Sequence, residues 1–182
     1  VEAANMANNH SKDYGESSYT DTISALENSK VSTFGYERAK ILKIKGVKVG
    51  LTGIYELADH LEKQQQVKEN ITALKEAGAK LVIVNFHWGN EREYTPTDIQ
   101  KNLAHLAIDE GADLVIGHHP HVLQGIERYK DKYIAYSLGN FCFGGNNNPA
   151  DKDTVIYRQV FTFVDGVMQE DDNMALIPAT IS

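Results

Sequence analysis

The chain has 182 residues, a length that fits one domain with a sizeable hydrophobic core. Its net charge of −7 excludes general affinity for nucleic acid, because a polyanion would be repelled. No stretch approaches the roughly 18 apolar residues of a membrane-spanning helix. The single cysteine, Cys142, excludes an internal disulfide; between two phenylalanines, it is predicted to be a small buried side chain rather than a reactive thiol.

The first part of the chain predicts short elements joined by polar loops. Residues 1–6 are typical of the tail of a buried strand or helix. Apolar residues at helical spacing then predict a helix over residues 19–28. Ser18, Thr20 and Asp21 are the candidate capping residues at its start.

Strands and helices alternate from residue 41 onward. The apolar runs 41–44 and 47–51 flank a two-residue turn and predict a β-hairpin. Residues 57–77 are predicted to form a helix that ends at Gly78, since glycine commonly takes the left-handed conformation after a helix. The continuous apolar run 81–86 is typical of a strand that is covered on both faces.

The second half continues this alternation and then turns to strands. A helix is predicted over residues 98–110 and a strand over 114–116. Four β segments follow, at residues 122–129, 133–137, 154–164 and 174–181. Asp165-Gly166 predicts a tight turn between the last two, and residues 146–151 predict a mobile polar loop. The pattern indicates an α/β fold of layered sheets, and the lack of Gly-x-Gly-x-x-Gly excludes a dinucleotide-binding domain.

Four histidines follow predicted strands or lie in the turns after them: His10, His87, His119 and His121. The last two belong to Gly117-His118-His119-Pro120-His121, where alternate imidazoles can project toward a common point. Open α/β sheets bind ligands at the carboxyl ends of their strands. The repeated placement therefore favours a metal site over buried structural histidines.

The surrounding residues indicate which metal these histidines would bind. Imidazole, amide and carboxylate ligands together suit a divalent ion, with Mn, Fe or Zn expected. Asn9 offers an amide oxygen, and Asp13 or Glu91 would accept hydrogen bonds that fix the imidazole tautomers. His60 and His105 lie within helix patterns without such neighbours and are predicted to be surface or packing residues.

Four motifs occur in order along the chain: Asn8-Asn9-His10 with Asp13-Tyr14-Gly15, His87-Trp88-Gly89-Asn90-Glu91, Gly117-His118-His119-Pro120-His121-Val122, and Tyr136-Ser137-Leu138-Gly139-Asn140-Phe141. Together they resemble the bacterial capsule-synthesis CapA (poly-γ-glutamate synthesis) family. That family belongs to the calcineurin-like metallophosphoesterase superfamily. Any one motif alone is a weak signal, whereas four in the right order make the resemblance specific.

The resemblance implies a layered α/β/β/α sandwich with a two-metal centre at the strand ends. It makes His10 the catalytic residue, acting as a general acid or orienting a phosphate. The implied metal ligands are Asn9, His87, His119 and His121. His118 replaces a glycine of the motif and is expected to lie behind the ligands. Ser137 and Asn140 are expected either to fix their loop by hydrogen bonds or to contact the substrate.

The chain also departs from the family pattern. The aspartate-bearing strand motif and the bridging carboxylate that open the superfamily's domain have no counterpart in it. We therefore expect residues 1–182 to be a single unit, the C-terminal part of such a domain without its N-terminal strands, and inactive alone. The exposed apolar sheet edge would be covered by the missing N-terminal segment or by a second copy of the chain.

Three functions remain open at this stage. The first is metal-dependent hydrolysis of phosphate esters or a related bond during capsule or poly-γ-glutamate synthesis. The second is metal-assisted binding or export of an anionic capsule polymer without catalysis. The third is a structural domain with vestigial histidines. The resemblance implies a cell-surface protein anchored in the membrane through a segment that this chain lacks, with a cytoplasmic location as the alternative.

Overall fold

The computed structural model describes residues 1–142, 148–169 and 173–181. Its helices are α1 (Gly15–Asn28), α2 (Lys63–Glu76) and α3 (Asp98–Asp109), and a short 3-10 turn, His60–Glu62, leads into α2. Its strands are, in chain order, β1 (Ala3–Asn5), β2 (Ser32–Phe34), β3 (Lys40–Ile44), β4 (Val47–Tyr55), β5 (Leu81–His87), β6 (Leu114–His118), β7 (Ile126–Tyr129), β8 (Lys132–Ala135), β9 (Asp153–Gln159), β10 (Phe163–Val164), β11 (Val167–Met168) and β12 (Met174–Thr180).

Six strands form the main sheet in the order β3-β4-β5-β6-β8-β7. β4, β5, β6 and β8 run parallel, and the outer strands β3 and β7 are antiparallel to their neighbours. The predicted hairpin is confirmed as β3–β4, and Lys45 and Gly46 take the positive φ angles of 48° and 87° that its two-residue turn requires. The parallel strands bring their carboxyl ends to one edge of the sheet.

The two faces of this sheet have different coverings. On β5, Val82, Val84 and Phe86 pack beneath α2 and α3 in the larger hydrophobic core. Leu81 and Ile83 point to the opposite face and pack with residues of β2, β3, β4, β10 and β11. The strand is therefore apolar from Leu81 to Val84 and buried along most of its length, as the sequence predicts for a strand covered on both faces.

The helices begin at other residues than the sequence predicts. α1 begins at Gly15 rather than at residue 19, because the predicted caps Ser18 and Thr20 instead donate hydroxyl hydrogen bonds to carbonyls of the preceding turn. α2 begins at Lys63 rather than at residue 57, since β4 continues to Tyr55 and the 3-10 turn intervenes. Gly78 follows α2 with φ 87°, as predicted.

The strands after residue 120 are shorter than predicted. Only 126–129 of the segment 122–129 is a strand, and the segment 154–164 divides into β9 and β10. The turn at Asp165-Gly166 is confirmed, but it joins β10 to β11, while β9 pairs with β12. Residues 146 and 147 of the predicted mobile loop lie outside the described part of the chain.

The prediction of a buried Cys142 is wrong, because the side chain is exposed. Its neighbour Phe141 is 71% exposed, so this segment runs over the surface and has no apolar pocket to fill. The mixed α/β class is confirmed by the six-stranded sheet and its helices. The four-layer sandwich stays a prediction, and so does the assignment of residues 1–182 to a single unit.

Candidate metal centre

The candidate site lies at the carboxyl edge of the parallel strands. His87 ends β5 and is paired in register with His118, the last residue of β6. The chain then turns through His119 and His121. The ring centroids of His87 and His119 are 4.8 Å apart, and those of His119 and His121 are 5.8 Å apart. The three imidazoles therefore share one small region above the sheet.

The backbone around these imidazoles is unusual. His119 and His121 have φ angles of 99° and 59°, a region that residues with a Cβ rarely adopt. Arg92 also has a positive φ, 64°, and its backbone N–H donates to the Pro120 carbonyl at 2.8 Å. This bond ties the loop after β5 to the loop after β6. Strained backbone held in place by its surroundings is frequent at functional sites.

Three side chains form what we call the metal cluster: Glu91, His119 and His121. Their potential ligand atoms all lie within 4.8 Å of one another. Nδ1 of His119 is buried and has no hydrogen-bond partner among the described residues. Leaving a buried polar atom unpaired costs free energy, about 1–3 kcal/mol. A cation bound at this atom would remove that cost, so the donor set fits a divalent ion.

The sequence predicts Glu91 as an outer hydrogen-bond acceptor, whereas the structure brings its carboxylate as close as the imidazoles.

Asn9 and His87 face each other beside the metal cluster. The side-chain oxygen of Asn9 lies 2.9 Å from Nε2 of His87, so without a metal this nitrogen carries the proton and donates it. Both atoms are potential ligands and point into the same space. His87 is buried and stacks on Tyr55, with ring centroids 6.1 Å apart. A metal at this position would replace their mutual hydrogen bond.

His10 is oriented by two neighbours. Its Nδ1 lies 2.8 Å from the Asp13 carboxylate, and its Nε2 lies 3.2 Å from the amide nitrogen of Asn9. Because the amide nitrogen only donates, Nε2 accepts and Nδ1 carries the proton toward Asp13. The structure thus brings Asp13 against His10, and links His10 through Asn9 to His87.

Asn140 sets the tautomer of His121. Its side-chain oxygen lies 2.6 Å from Nδ1 of His121, and its amide nitrogen donates to the His121 carbonyl at 3.1 Å. In the neutral ring Nδ1 carries the proton, which leaves Nε2 as the atom with a lone pair for a metal.

Ser137 has a different place from Asn140. It is buried, its hydroxyl accepts from the Gly139 N–H at 3.4 Å, and its carbonyl accepts from the Gln124 N–H. These are the loop-fixing bonds that the sequence offers as one alternative.

Burial favours the neutral form of three imidazoles at the site, those of His87, His118 and His119. Burial, followed by the neighbouring histidines, lowers the pKa of His87 to about 3. Burial lowers the pKa of His118 to about 4, and burial and His121 lower the pKa of His119. Neutral imidazoles are the form that binds metals, so these rings need no net deprotonation at neutral pH, although a metal at Nε2 of His87 would require the ring proton to move to Nδ1.

Sequence reasoning missed the carboxylate of Glu56. It is almost fully buried just after β4, accepts from the Gly89 N–H at 3.1 Å and contacts Nδ1 of His60. Its backbone N–H donates to the His87 carbonyl. The strand-end rule that identified His87 would also have found Glu56, had β4 been extended to Tyr55.

A buried amide pair, also missed, holds the loop that carries Glu91. The amide nitrogen of Gln100 donates to the side-chain oxygen of Gln124 at 2.8 Å, and Gln124 donates to the Glu93 carbonyl at 2.7 Å. Gln100 also completes a capping box with Thr97 at the start of α3. The pair connects the loop after β5 with the loop after β6.

The two remaining histidines lie outside the metal cluster. His105 stacks on Tyr129, with centroids 4.0 Å apart, and bonds to Glu127. His60 is exposed and contacts Glu56. Both match the prediction of surface or packing residues.

The fold and the site define the class: an α/β protein with a histidine-rich site at the carboxyl ends of its parallel strands. Within that class, the chain belongs to the bacterial capsule synthesis protein PGA_cap family, whose model matches residues 1–145. The resemblance that the motifs carry is thereby confirmed.

Individual relatives agree with this assignment. The chain is 37% identical over 161 residues to the capsule biosynthesis protein CapA of Bacillus anthracis, covering 76% of this chain and 39% of that protein. It is 36% identical over 161 residues to the PGA biosynthesis protein CapA of Bacillus subtilis, covering 76% and 42%. A probable polyglutamine synthesis accessory protein of Mycobacterium tuberculosis is 29% identical over 165 residues, covering 74% and 43%. The chain thus spans about two fifths of the length of these relatives.

One solved structure shares the fold. A hypothetical protein from Thermus thermophilus superimposes with a TM-score of 0.58 at 16% identity, covering all of this chain and 76% of that one.

Among the described residues, no helix has both the length and the apolar character needed to cross a membrane.

Proposed function

We propose that this chain carries the metal centre of a capsule or poly-γ-glutamate biosynthesis protein that hydrolyses a phosphate ester or a related bond. The observation that carries the proposal is the convergence of Glu91, His119 and His121, in which the buried Nδ1 of His119 has no partner among the described residues. Membership of the capsule-synthesis family supports the biological role. The names of the two CapA relatives point to the same process.

Five residues would hold the metal. Glu91, His119 and His121 would bind one ion, and Asn9 and His87 would supply ligands on the adjacent side. This mixture of nitrogen and oxygen ligands suits Mn, Fe or Zn. A bound ion of this kind polarises the electrophilic group that is attacked. Asn140 would keep Nε2 of His121 available by holding the proton on Nδ1.

His10 would act on the leaving group. It lines a cavity beside the metal cluster, and its Nδ1–H is held by Asp13. A proton taken up at Nε2 would be stabilised by the Asp13 carboxylate and could then pass to a leaving oxygen. Such a positioned acid contributes a rate factor of roughly 10²–10⁴. Asp13 is thus a positioning residue for His10.

The other face of the main sheet supports a second part of the proposal, a missing layer. A cavity of about 550 Å³ lies there, lined mainly by apolar residues of β4, β5 and β6 and by Phe161 and Phe163. β1 pairs with β2, and β9 with β12, and among the described residues neither pair has a third strand. We propose that strands from the parent protein's N-terminal segment fill this face and complete a four-layer sandwich.

The missing layer can be tested by the oligomeric state of the 182-residue chain. Because the cavity leaves this apolar face only partly covered, the chain should self-associate in light-scattering measurements. Adding the N-terminal part of a full-length relative should make it monomeric. A stable, monodisperse monomer of the 182-residue chain alone would contradict the proposal, and a defined dimer that persists would assign the face to a second copy.

We also propose that the protein works at the cell surface. Capsule polymers lie outside the cell, and the CapA relatives are named for capsule and PGA biosynthesis. A membrane anchor would have to come from outside the described residues. Protease accessibility on intact cells that express the parent protein tests this location.

The decisive experiment is the metal content of purified protein. Prepared without chelators, the chain should contain near-stoichiometric Mn, Fe or Zn by mass spectrometry. The double variant His119→Ala, His121→Ala should contain none. His105→Gln is the matched control, because His105 lies outside the metal cluster and should keep the wild-type metal content.

Equal metal in the wild type and the double variant would refute the site. Hydrolysis is then tested on a protein that contains the whole domain, with a panel of phosphate esters. Metal binding without any turnover of the panel would instead favour metal-assisted binding of an anionic polymer.

A further inference from the structure

A cavity of about 310 Å³ opens beside the metal cluster. Its lining includes His10, Glu91, Arg92, Tyr94, His121 and Asn140. Its volume is at the small end of the usual range for ligand pockets, roughly 300–1,000 Å³. The cavity therefore suits one residue of a polymer or one small head group. Because metal-cluster residues form part of its wall, a molecule bound there would lie next to the metal.

The acidic groups of the cavity already have partners. Asp151 accepts a hydrogen bond from the Tyr94 hydroxyl at 2.8 Å and another from the Asp153 N–H at 2.9 Å. Glu91 belongs to the metal cluster, where its charge would be directed to the ion. Both carboxylates keep their charge, but among the described residues neither forms an ion pair with Arg92.

Arg92 supplies the positive charge of this wall. Among the described residues that line the cavity, Arg92 is the one basic residue, lysine or arginine. It forms no ion pair with any residue that the structure describes. Its backbone is fixed by the N–H bond to the Pro120 carbonyl and by a positive φ. The backbone that carries this guanidinium is thus anchored between the two loops of the site.

We propose that Arg92 is the anion-binding residue of this cavity and that it recognises an oxyanion, a carboxylate or a phosphoryl group, on the molecule bound beside the metal cluster. This inference relies on the proposed function for one point, that the bound molecule is the substrate. A guanidinium presents parallel N–H donors that match both kinds of oxyanion, and it stays charged at all physiological pH values. The bound molecule is therefore anionic at a second point, away from the reacting bond.

Nuclear magnetic resonance titration of the full 182-residue chain, after chelation of metals, tests this proposal. The probes are inorganic phosphate, which tests the phosphoryl group, and glutarate, which tests the carboxylate. At least one of the two probes should shift the amide resonances of residues 91–94 and 121–122. Arg92→Gln should weaken that binding roughly tenfold, and Arg92→Lys should recover only part of it, because lysine lacks the planar fork. Preference for glutarate would indicate a polymer carboxylate, and preference for phosphate a phosphoryl group.

The matched control is Arg158→Gln, since Arg158 is exposed on β9 and does not line the cavity. It should bind both probes like the wild type. Unchanged affinity in Arg92→Gln, or no binding of either probe by the wild type, would overturn the proposal. Because the titration is done without metal, Glu91 keeps its full negative charge in the cavity wall, so an anion must bind at Arg92 despite it; the result stands even if the metal centre is refuted. Conversely, Arg92→Gln should keep the wild-type metal content, which separates anion binding from metal binding.

Discussion

The core beneath α2 and α3 and the strand-end loops lie side by side, but different interactions hold them. In the core, Phe86 and Trp88 are fully buried and stack with ring centroids 4.3 Å apart. In the loops, side-chain amides and backbone N–H groups make the connections, and His119 and His121 adopt strained backbone angles. A tightly packed apolar core thus supports a polar edge whose geometry depends on individual hydrogen bonds. Substitutions in the two regions should therefore have different effects.

Trp88→Ala should have the largest effect on stability. Trp88 packs against Phe86 and Tyr136, and its Nε1–H donates to the Tyr136 carbonyl at 2.9 Å. Removing a fully buried large aromatic side chain costs about 3–5 kcal/mol. Urea unfolding of metal-free protein measures the change. Trp88→Phe, which keeps most of the ring, should lose clearly less, and a loss below about 1 kcal/mol in Trp88→Ala would show that this core is not what supports the site.

Gln100→Ala should have an intermediate effect. The variant leaves the side-chain oxygen of the buried Gln124 without its donor and removes half of the capping box of α3. An unsatisfied buried amide costs about 1–3 kcal/mol. Because the pair holds the loop of Glu91, metal affinity should fall as well.

A double-mutant cycle with Gln124→Ala separates the pair from its surroundings. The two losses should be less than additive, since each single change already breaks the same bond. Strict additivity would mean that the two amides do not support each other. Gln65→Ala, an exposed glutamine of α2, is the control and should change little.

Acidification should destabilise the metal-free protein through His87 and His118. Their pKa values are about 3 and about 4 when folded, against 6.5 for the unperturbed ring. Between pH 6.5 and pH 5.5 these histidines bind protons in the unfolded chain but not in the folded chain, so the free energy of unfolding falls as the pH falls. Each histidine contributes about 1 kcal/mol over this interval.

Unfolding midpoints of chelated protein at the two pH values measure this slope. His87→Gln and His118→Gln should each reduce the loss on acidification by about 1 kcal/mol. A slope that neither variant changes would mean that other groups control the acid response.

Much of the fold follows from the sequence, because apolar periodicity reports burial directly. The run that forms β5, the hairpin at Lys45-Gly46 and the glycine after α2 are all in place. The boundaries of α1 and α2 were not predictable from periodicity, since hydroxyl-to-carbonyl bonds and a 3-10 turn decide them.

The candidate site is only partly visible in the sequence. Strand-end position singles out His87 and the histidines after β6. It cannot reveal that Gln100 in α3 bonds to Gln124 in the loop after β6, 24 residues away, or that Glu91 reaches the imidazoles. Those contacts depend on tertiary structure rather than on local pattern. The exposure of Cys142 has the same cause, because its surroundings are set by where the loop after Asn140 runs.

Asn140→Ala should have the smallest effect on stability and a clear effect on metal binding. Asn140 is partly exposed, so its loss should cost less than about 1 kcal/mol in urea unfolding. Its bond to Nδ1 of His121, however, fixes the tautomer that presents Nε2 to a metal. Removal of such an orienting group typically weakens metal affinity 10- to 100-fold.

Metal affinity of this variant is measured by competition with a chelator of known affinity. Asn28→Ala at the exposed end of α1 is the control and should leave both stability and affinity unchanged. Asn140→Asp, which keeps an oxygen acceptor for Nδ1, should restore most of the affinity. If Asn140→Ala unfolds more easily but binds metal like the wild type, Asn140 serves the loop rather than His121, and the polar edge would owe its geometry to packing, as the core does.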